Sequence, residues 1–232
     1  MLRQLWDSAI RWLPSQCAVC HAWPSRPLCD ACVAAFAAPQ PRCQRCALRV
    51  PTGVAICGAC RLHPPPLDQC LAAVSYDYPW AEGITQFKFH QQTGWAASLA
   101  TLLRAAPWVE PAVEQAHWLI PLPLSPQRLA QRGYNQALLL AQQLAPHKTR
   151  ADLLLRVQDT APQSSLKRAQ RLANVQNAFA VEPALAASLQ GRRLLLVDDV
   201  MTSGASLFAA ARCLRAAGAA HITAVVVART DA

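Results

Sequence analysis

The chain has 232 residues, 53% of them hydrophobic and 15% charged, with 18 prolines, 8 glycines and 10 cysteines. Those proportions exclude a disordered, collagen-like or fibrous chain and point to a globular protein with a substantial core. Lysine and arginine number 22 against 13 aspartates and glutamates, a formal net charge of +9, so an anionic partner is expected wherever the surplus concentrates.

The first 17 residues, MLRQLWDSAIRWLPSQC, interrupt their apolar positions with Asp7 and Arg11 and read as an amphipathic helix rather than a signal peptide or anchor. No apolar stretch reaches the ~18 residues a membrane helix needs, so no membrane insertion and a cytoplasmic location are expected.

Eight of the ten cysteines then form four C-x-x-C pairs: Cys17/Cys20, Cys29/Cys32, Cys43/Cys46 and Cys57/Cys60. Two thiolates three positions apart can bite one tetrahedral Zn²⁺, and two such pairs close a Cys₄ site with no position left for substrate or water. Four pairs therefore predict two structural zinc sites. The segment is poor in large aliphatic residues, so metal ligation would supply folding energy that its own core cannot. A disulfide framework is the rival reading, and no export signal accompanies it. Sequential and interleaved pairing both satisfy the spacing; sequential pairing closes the shorter loops. Residues 1–70 carry 7 basic and 3 acidic residues, and two tetrathiolate zinc sites at a net −2 each would bring this module close to neutrality. Cys70 and Cys213 are left over and read as small buried apolar residues.

His63-Pro64-Pro65-Pro66 is stiff and extended and marks a natural linker. The expected division is residues 1–66, an N-terminal helix and double zinc module, followed by an α/β domain over 71–232. Within the latter, Trp80, Trp95, Trp108 and Trp118 read as core or hood packing residues.

HWLIPLPL (117–124) reads as a strand whose prolines force an irregular exit. Residues 125–133 are then expected to form a basic loop, and residues 134–145 a helix. Arg128 and Arg132 could bind an anion bidentately, and Gly133 would let the backbone approach it closely. The rival reading is solvated arginines flanking an amphipathic helix. Residues 125–175 hold eight basic residues against Asp152 and Asp159, so the surplus charge concentrates there. Residues 156–174, with Arg156, Lys167, Arg168 and Arg171 among Gln and Ser, show little hydrophobic periodicity and are expected to be a mobile lid.

The most informative stretch is Arg193-Leu-Leu-Leu-Val-Asp-Asp-Val-Met-Thr-Ser-Gly-Ala-Ser206. Leu194 to Val197 read as a buried central strand, which ends at two acids and a small-residue turn opening a helix from about Ala205 to Ala217. Gly218 ends that helix and His221 to Ala228 form the next strand, giving a β-loop-α-β unit with parallel strands. Thr202, Ser203, Gly204, Ala205 and Ser206 are small enough for amide groups and hydroxyls to converge on a phosphate at the helix N-terminus. Asp198 and Asp199 would repel each other beside that anion unless they met hydroxyls or a divalent cation, and a sugar phosphate with Mg²⁺ meets both demands. A Walker-B-like loop or a plain helix entry are the other readings of two acids after a strand.

This stretch resembles the phosphoribosyl-pyrophosphate (PRPP) motif of type I phosphoribosyltransferases. The resemblance implies that Asp198 and Asp199 hold the ribose hydroxyls and that residues 202–206 hold the 5′-phosphate. By the same analogy Arg128, Arg132 and Gly133 belong to a pyrophosphate loop, with Arg171 on the lid closing over it. Lys88 either adds to that charge or is a surface lysine. Over nearly all 232 residues the chain is similar to the ComF (competence protein F) and GntX-like proteins. The features that carry this are the double zinc ribbon, YDYPWAEGITQFKF with Lys88 and Phe89, Pro121 to Leu124 followed by Arg128 and Arg132-Gly-Tyr-Asn-Gln136, and Thr160, Gln163, Arg171, Asn174 and Phe179.

The resemblance implies a transferase displacing pyrophosphate at ribose C1 in DNA uptake or related nucleotide metabolism. The alternatives are an accessory protein that binds single-stranded DNA and other DNA-uptake proteins, or a PRPP sensor. Thr202 stands where the oxopurine salvage enzymes carry an aspartate, which argues against purine-base salvage. An acceptor pocket is therefore expected from residues 71–116 or from the zinc module.

Overall fold

The computed structural model describes residues 15–157 and 178–231. The expected N-terminal helix falls mostly outside those residues, as do nearly all of the expected lid and Arg171. The chain divides into two compact units, Met1–Ala38 and Pro39–Ala232.

In the first unit the backbone doubles back through reciprocal bonds between Ser15 and Ser25, whose amides donate to each other's carbonyls at 2.8 and 2.7 Å. Helix α1 (Asp30–Phe36) follows, and the Cys29 thiol caps it by accepting from the Cys32 amide. The chain reversal and the cap bring Cys17 and Cys20 to Cys29 and Cys32.

The second unit opens with a cysteine knuckle that ends in α2 (Gly58–Leu62). His63 to Pro66 then lead into strand β1 (Gln69–Ser75). Three helices follow: α3 (Trp80–Phe89), α4 (Trp95–Ala105) and α5 (Val109–Gln115). Strand β2 (Trp118–Pro121) leads to α6 (Pro126–Arg132) and α7 (Gln136–Leu144). A two-stranded antiparallel ribbon joins β3 (Leu154–Arg156) to β4 (Phe179–Val181). The chain closes with β5 (Arg193–Met201), α8 (Ala205–Ala216) and β6 (His221–Arg229).

The main sheet is wholly parallel in the order β1-β6-β5-β2. Its two central strands are aliphatic on both faces, as a parallel sheet covered on both sides requires. Leu194, Leu196, Ile222, Ala224 and Val226 share a core cluster with Leu207, Ala210, Ala211 and Leu214 of α8. The spacing of those four α8 residues marks one helical face. Strand geometry turns Leu195, Val197, Val225 and Val227 the other way, where α7 packs against β2 and β5, and α4 against β1 and β6. Gly83 of α3 is required by packing: a Cβ there would stand 2.7 Å from the Trp95 ring.

The same cluster includes Cys43, Cys46, Cys57 and Cys60, so the second knuckle is built into the core of the sheet unit. Cys70 is buried against it, its thiol 3.5 Å from the Met201 sulfur, while Cys213 is half-buried. Trp80 is buried, Trp95 and Trp118 are partly buried, and Trp108 is exposed.

Residues 125–133 correct the sequence expectation. They form the short helix α6 rather than a loop, because Ser125 caps the Arg128 amide, Pro126 occupies the first turn, and Gly133 ends it at φ +78°. Helix α7 starts at Gln136 rather than residue 134, because the Asn135 side chain caps the amides of Ala137 and Leu138. The β5-α8-β6 unit departs from its expected bounds only by short extensions of the strands and by a helix end one residue early.

Candidate functional site

The site lies at the C-terminal ends of β2 and β5, held side by side by the Leu122 amide donating to the Val197 carbonyl at 2.9 Å. From this point β2 runs into α6 and α7, while β5 runs into α8 and crosses to β6. Adjacent strands whose connections diverge leave a crevice beyond their carboxyl ends.

Residues 202–204 turn between β5 and α8. Gly204 sits at φ +78°, and a Cβ there would approach Met201 Cε to 2.4 Å and Phe208 Cζ to 2.7 Å, so only glycine fits. Among the described residues the amides of Thr202, Ser203 and Gly204 meet no protein acceptor, and the Ala205 amide makes a long bond of 3.4 Å to Ser203 Oγ. A row of unsatisfied amides opening a 12-residue helix is an anion cradle.

The two acids lie near the C-terminal end of β5, followed by Val200 and Met201. Asp198 Oδ1 accepts from the Asp199 amide at 2.9 Å, and Asp199 Oδ1 accepts from the Val200 amide at 2.6 Å. Burial, then the neighbouring Asp199 charge, push the Asp198 carboxyl well above the usual carboxylate range, and Lys88 opposes this. Lys88 Nζ lies 3.0 Å from Asp199 Oδ1, with the lysine side chain 18% exposed and the aspartate 7%. Of the two readings of Lys88, a surface lysine is therefore excluded. It projects from the last turn of α3, at the edge of the face that Trp80, Ile84 and Phe87 bury.

Arg128 and Arg132 approach from α6. The Arg132 guanidinium lies 4.9 Å from the Phe89 ring centre, and burial lowers its pKa against the opposing pull of Asp199. Tyr134 donates its hydroxyl to the Phe87 carbonyl, and Asn135 Nδ2 donates to the Leu122 carbonyl at 3.1 Å. These bonds tie the α6–α7 junction to α3 and β2.

A cavity of about 200 Å³ brings these groups together: Lys88, Arg128, Arg132, Asp198, Asp199, Thr202 and Ser206 all line it. Ser203, Gly204, Ala205 and Gly133 do not line it. Sequence reasoning missed Asn135 and Gln136, which line the cavity, and assigned the third missed residue, Arg156, to a lid, whereas it belongs to β3. A glutamine at the first position of an amphipathic helix gives no signal of burial, yet Gln136 is 2% exposed and Nε2 donates to the Lys88 carbonyl.

Residues 130–232 match the phosphoribosyl transferase domain family. The chain is 30% identical over 209 residues to DNA utilization protein YhgH of Salmonella typhimurium, covering 88% of this chain and 90% of that protein. It is 35% identical over 196 residues to competence protein F of Haemophilus influenzae, covering 78% and 82% of the two chains. The chain belongs to the ComF family. A third relative, competence protein ComFC of Bacillus subtilis, is 37% identical over 102 residues, 44% of this chain and 40% of that one. The α/β phosphoribosyltransferase-type domain expected from the Asp198-Asp199 motif is thereby established.

This ComF chain also carries two four-cysteine clusters, Cys17/Cys20/Cys29/Cys32 and Cys43/Cys46/Cys57/Cys60, each with its sulfurs within 4.8 Å of one another. The pairing is sequential. In the first cluster burial raises the Cys17 thiol, but the amides of Cys20, Cys29 and Val19 outweigh it and bring it down to about 6. Burial and the neighbouring cysteines push Cys32 up to about 12. The second cluster repeats this, Cys43 being brought to about 7 by the amides of Cys57, Arg45 and Cys46 against burial, while burial raises Cys46 to about 11. Four thiols this close cannot all ionise without a cation, and this donor set fits a tetrahedral thiophilic ion.

Among the described residues no helix is long and apolar enough to cross a membrane.

Proposed function

We propose that the cleft binds PRPP with Mg²⁺, that both cysteine clusters hold structural Zn²⁺, and that the protein acts in DNA uptake or related nucleotide metabolism. The observation that carries the reading is the cavity itself, where two acids, Thr202 and Ser206 of the phosphate loop, and cations from two other helices converge. In this reading Thr202 to Ser206 hold the 5′-phosphate, and Asp198 and Asp199 hold the ribose hydroxyls. Arg128, Arg132, Gly133 and Lys88 receive the pyrophosphate, with Arg171 as a further contact.

The chemistry is displacement at ribose C1, in which the bond to pyrophosphate breaks as an acceptor attacks and positive charge develops on the ring. The chain contributes by fixing both ends of the substrate and placing Asp198 and Asp199 beneath the developing charge. A divalent cation would neutralise pyrophosphate oxygens as they depart, and the pair of neighbouring carboxylates, Asp198 and Asp199, is a donor set compatible with one nearby. Lys88 supplies positive charge to Asp199.

Isothermal titration with PRPP and Mg²⁺ tests the reading. The wild-type chain should bind one equivalent and the Asp198→Ala, Asp199→Ala double variant none; a silent wild type, or heat unchanged in the variant, refutes it.

A second reading, single-stranded DNA binding, draws on one specific feature. Phe89 is 60% exposed beside a cleft of about 190 Å³ that shares Lys88, Arg128 and Arg132 with the main cavity. An exposed ring next to guanidinium groups suits base stacking and backbone contact together. The names of the Salmonella and Haemophilus relatives, a DNA utilization protein and a competence protein, agree with it. Anisotropy with labelled oligonucleotide across a salt series should show affinity falling steeply with salt and weakening in Phe89→Ala; absent or salt-independent binding removes this reading.

A further inference from the structure

Arg229 is 5% exposed. It closes the last strand of the sheet, paired in register with Met201 at the end of β5. Its Nε donates to the Cys46 carbonyl at 2.9 Å, and its Nη1 donates to the Met201 carbonyl at 3.2 Å. Nη1 also donates to the Thr230 carbonyl and reaches Thr230 Oγ1 at 3.3 Å. Among the described residues it pairs with oxygens of the backbone and a hydroxyl, and with no carboxylate.

A buried guanidinium without an acid is costly unless another negative charge stands nearby. The second cysteine cluster supplies one: a four-thiolate zinc site carries a net −2, and Cys46 is one of its four residues. Arg42 approaches the same knuckle, donating to the Ala47 carbonyl at 3.0 Å, but its other arm goes to Ser75 Oγ and not to the loop.

The Met201 carbonyl shares a peptide plane with the Thr202 amide, the first of the cradle amides that meet no protein acceptor. Because that plane is rigid and trans, pinning the oxygen on one side sets the direction of the N–H on the other. The Thr230 amide adds a second pin at 3.1 Å. Met201 is also gripped through its side chain, whose sulfur accepts from the Cys70 thiol and whose methyl closes over Gly204.

We infer that Arg229 is a positioning residue that ties the metal-bound knuckle of residues 43–60 to the phosphate cradle, so that occupancy of the second cysteine cluster and binding of the sugar phosphate favour each other. The inference rests on the PRPP reading of the cleft and adds to it a control element on the opposite side of β5. Linkage makes the coupling reciprocal: if zinc organises the cradle, the bound ligand must raise the zinc affinity of that cluster by the same factor.

The test uses the full chain, with zinc content by elemental analysis, PRPP and Mg²⁺ affinity by calorimetry, and zinc release to a chromogenic chelator with and without PRPP. Wild type should hold two zinc ions, and saturating PRPP should shift the equilibrium release of one of them to the chelator toward retention by the protein. Arg229→Gln should retain both ions, bind PRPP about tenfold more weakly and lose the effect of PRPP on release. Arg42→Gln, which loosens the same knuckle without touching the loop, should keep wild-type affinity to within about twofold. If Arg229→Gln does not fold, Arg229→Lys decides, since it keeps the charge but cannot bridge both carbonyls. Wild-type affinity and release in a folded Arg229 variant overturn the inference and leave the PRPP reading standing. Equal losses in the Arg42 and Arg229 variants reduce Arg229 to a stabilising residue and also overturn it. A wild-type chain that binds no PRPP removes the reading beneath it.

Discussion

Replacing Gly204 with alanine separates the strain of the loop from its purpose. The backbone there sits at φ +78°, where a Cβ costs about 1 kcal/mol. The added methyl would also stand 2.4 Å from Met201 Cε and 2.7 Å from Phe208 Cζ. The thioether can swing aside, but the Phe208 ring is carried on α8, so overpacking adds about 1–3 kcal/mol. The sum, roughly 2–4 kcal/mol, corresponds to a fall in Tm of about 4–16 °C for a chain of this size. Gly53→Ala is the matched control: its φ is +87°, yet nothing lies within 4 Å of the added Cβ, so only the backbone cost applies. Its Tm should fall by only about 2–4 °C. Scanning calorimetry of the zinc-loaded proteins reads both, and titration with PRPP should show affinity lost in Gly204→Ala and kept in Gly53→Ala. Equal thermal losses would refute the packing argument, and unimpaired ligand affinity in Gly204→Ala would refute the cradle.

Four further expectations follow from particular contacts. Lys88→Met leaves Asp199 buried without its cation and should cost about 2 kcal/mol in denaturant melts, much of it recovered when Asp199→Asn is added. Asp198 is raised by burial and by Asp199, so the fold binds a proton the unfolded chain releases, and stability declines as pH climbs above the ordinary carboxylate value; Asp198→Asn should therefore raise Tm at pH 8, lose that advantage near pH 4, and abolish PRPP binding. Asp68 has the opposite sign: burial raises its pKa, but the Ile222 amide and Arg215 bring it below the usual range, so its contribution is present at neutral pH and disappears as pH falls through that lowered value. Asp68→Asn should thus lower Tm at pH 7 and converge with wild type in acid. Cys43→Ser should lower the main thermal transition because its cluster lies in the sheet core, whereas Cys20→Ser should leave the transition of Pro39–Ala232 unchanged.

Much of this architecture is written locally. Leu194 to Val197 and His221 to Ala228 read as buried parallel strands because short, largely aliphatic runs bounded by turn residues suit strands covered on both faces. The bounds of α8 follow from Gly204 at its start and Gly218, at φ +94°, just past its end. The cysteine spacing specifies the clusters for the same reason: a C-x-x-C knuckle is a local chelate, and the shortest loops bring sequential pairs together. Residues 125–133 were misread because one basic stretch satisfied two patterns. Clustered arginine and glutamine suggested a loop, whereas Ser125, Pro126 and Gly133 formed a start and a stop for seven helical residues. The caps outweighed composition because they satisfy orphan backbone groups directly.

What the sequence hides is which charged residue is buried, since a surface arginine and a core arginine are the same letter. Lys88 became a component of the cleft only when α3 laid its last turn beside β5, and Arg229 is separated from its partner Cys46 by 183 positions. One signal was available for each. Phe87, Lys88 and Phe89 place a lysine between two aromatics at a helix end, where one ring must be buried and the cation follows the sheet edge. Arg229 closes a strand, HITAVVVAR, in which every residue after His221 is buried, and a charge at the end of such a strand has no route to bulk water. Such a cation must find acceptors within the protein, and in a parallel sheet those nearest are the carbonyls at the ends of neighbouring strands. In this chain the neighbour is β5, whose last carbonyl precedes the cradle, so the residue that needed acceptors was placed where accepting it fixes the loop.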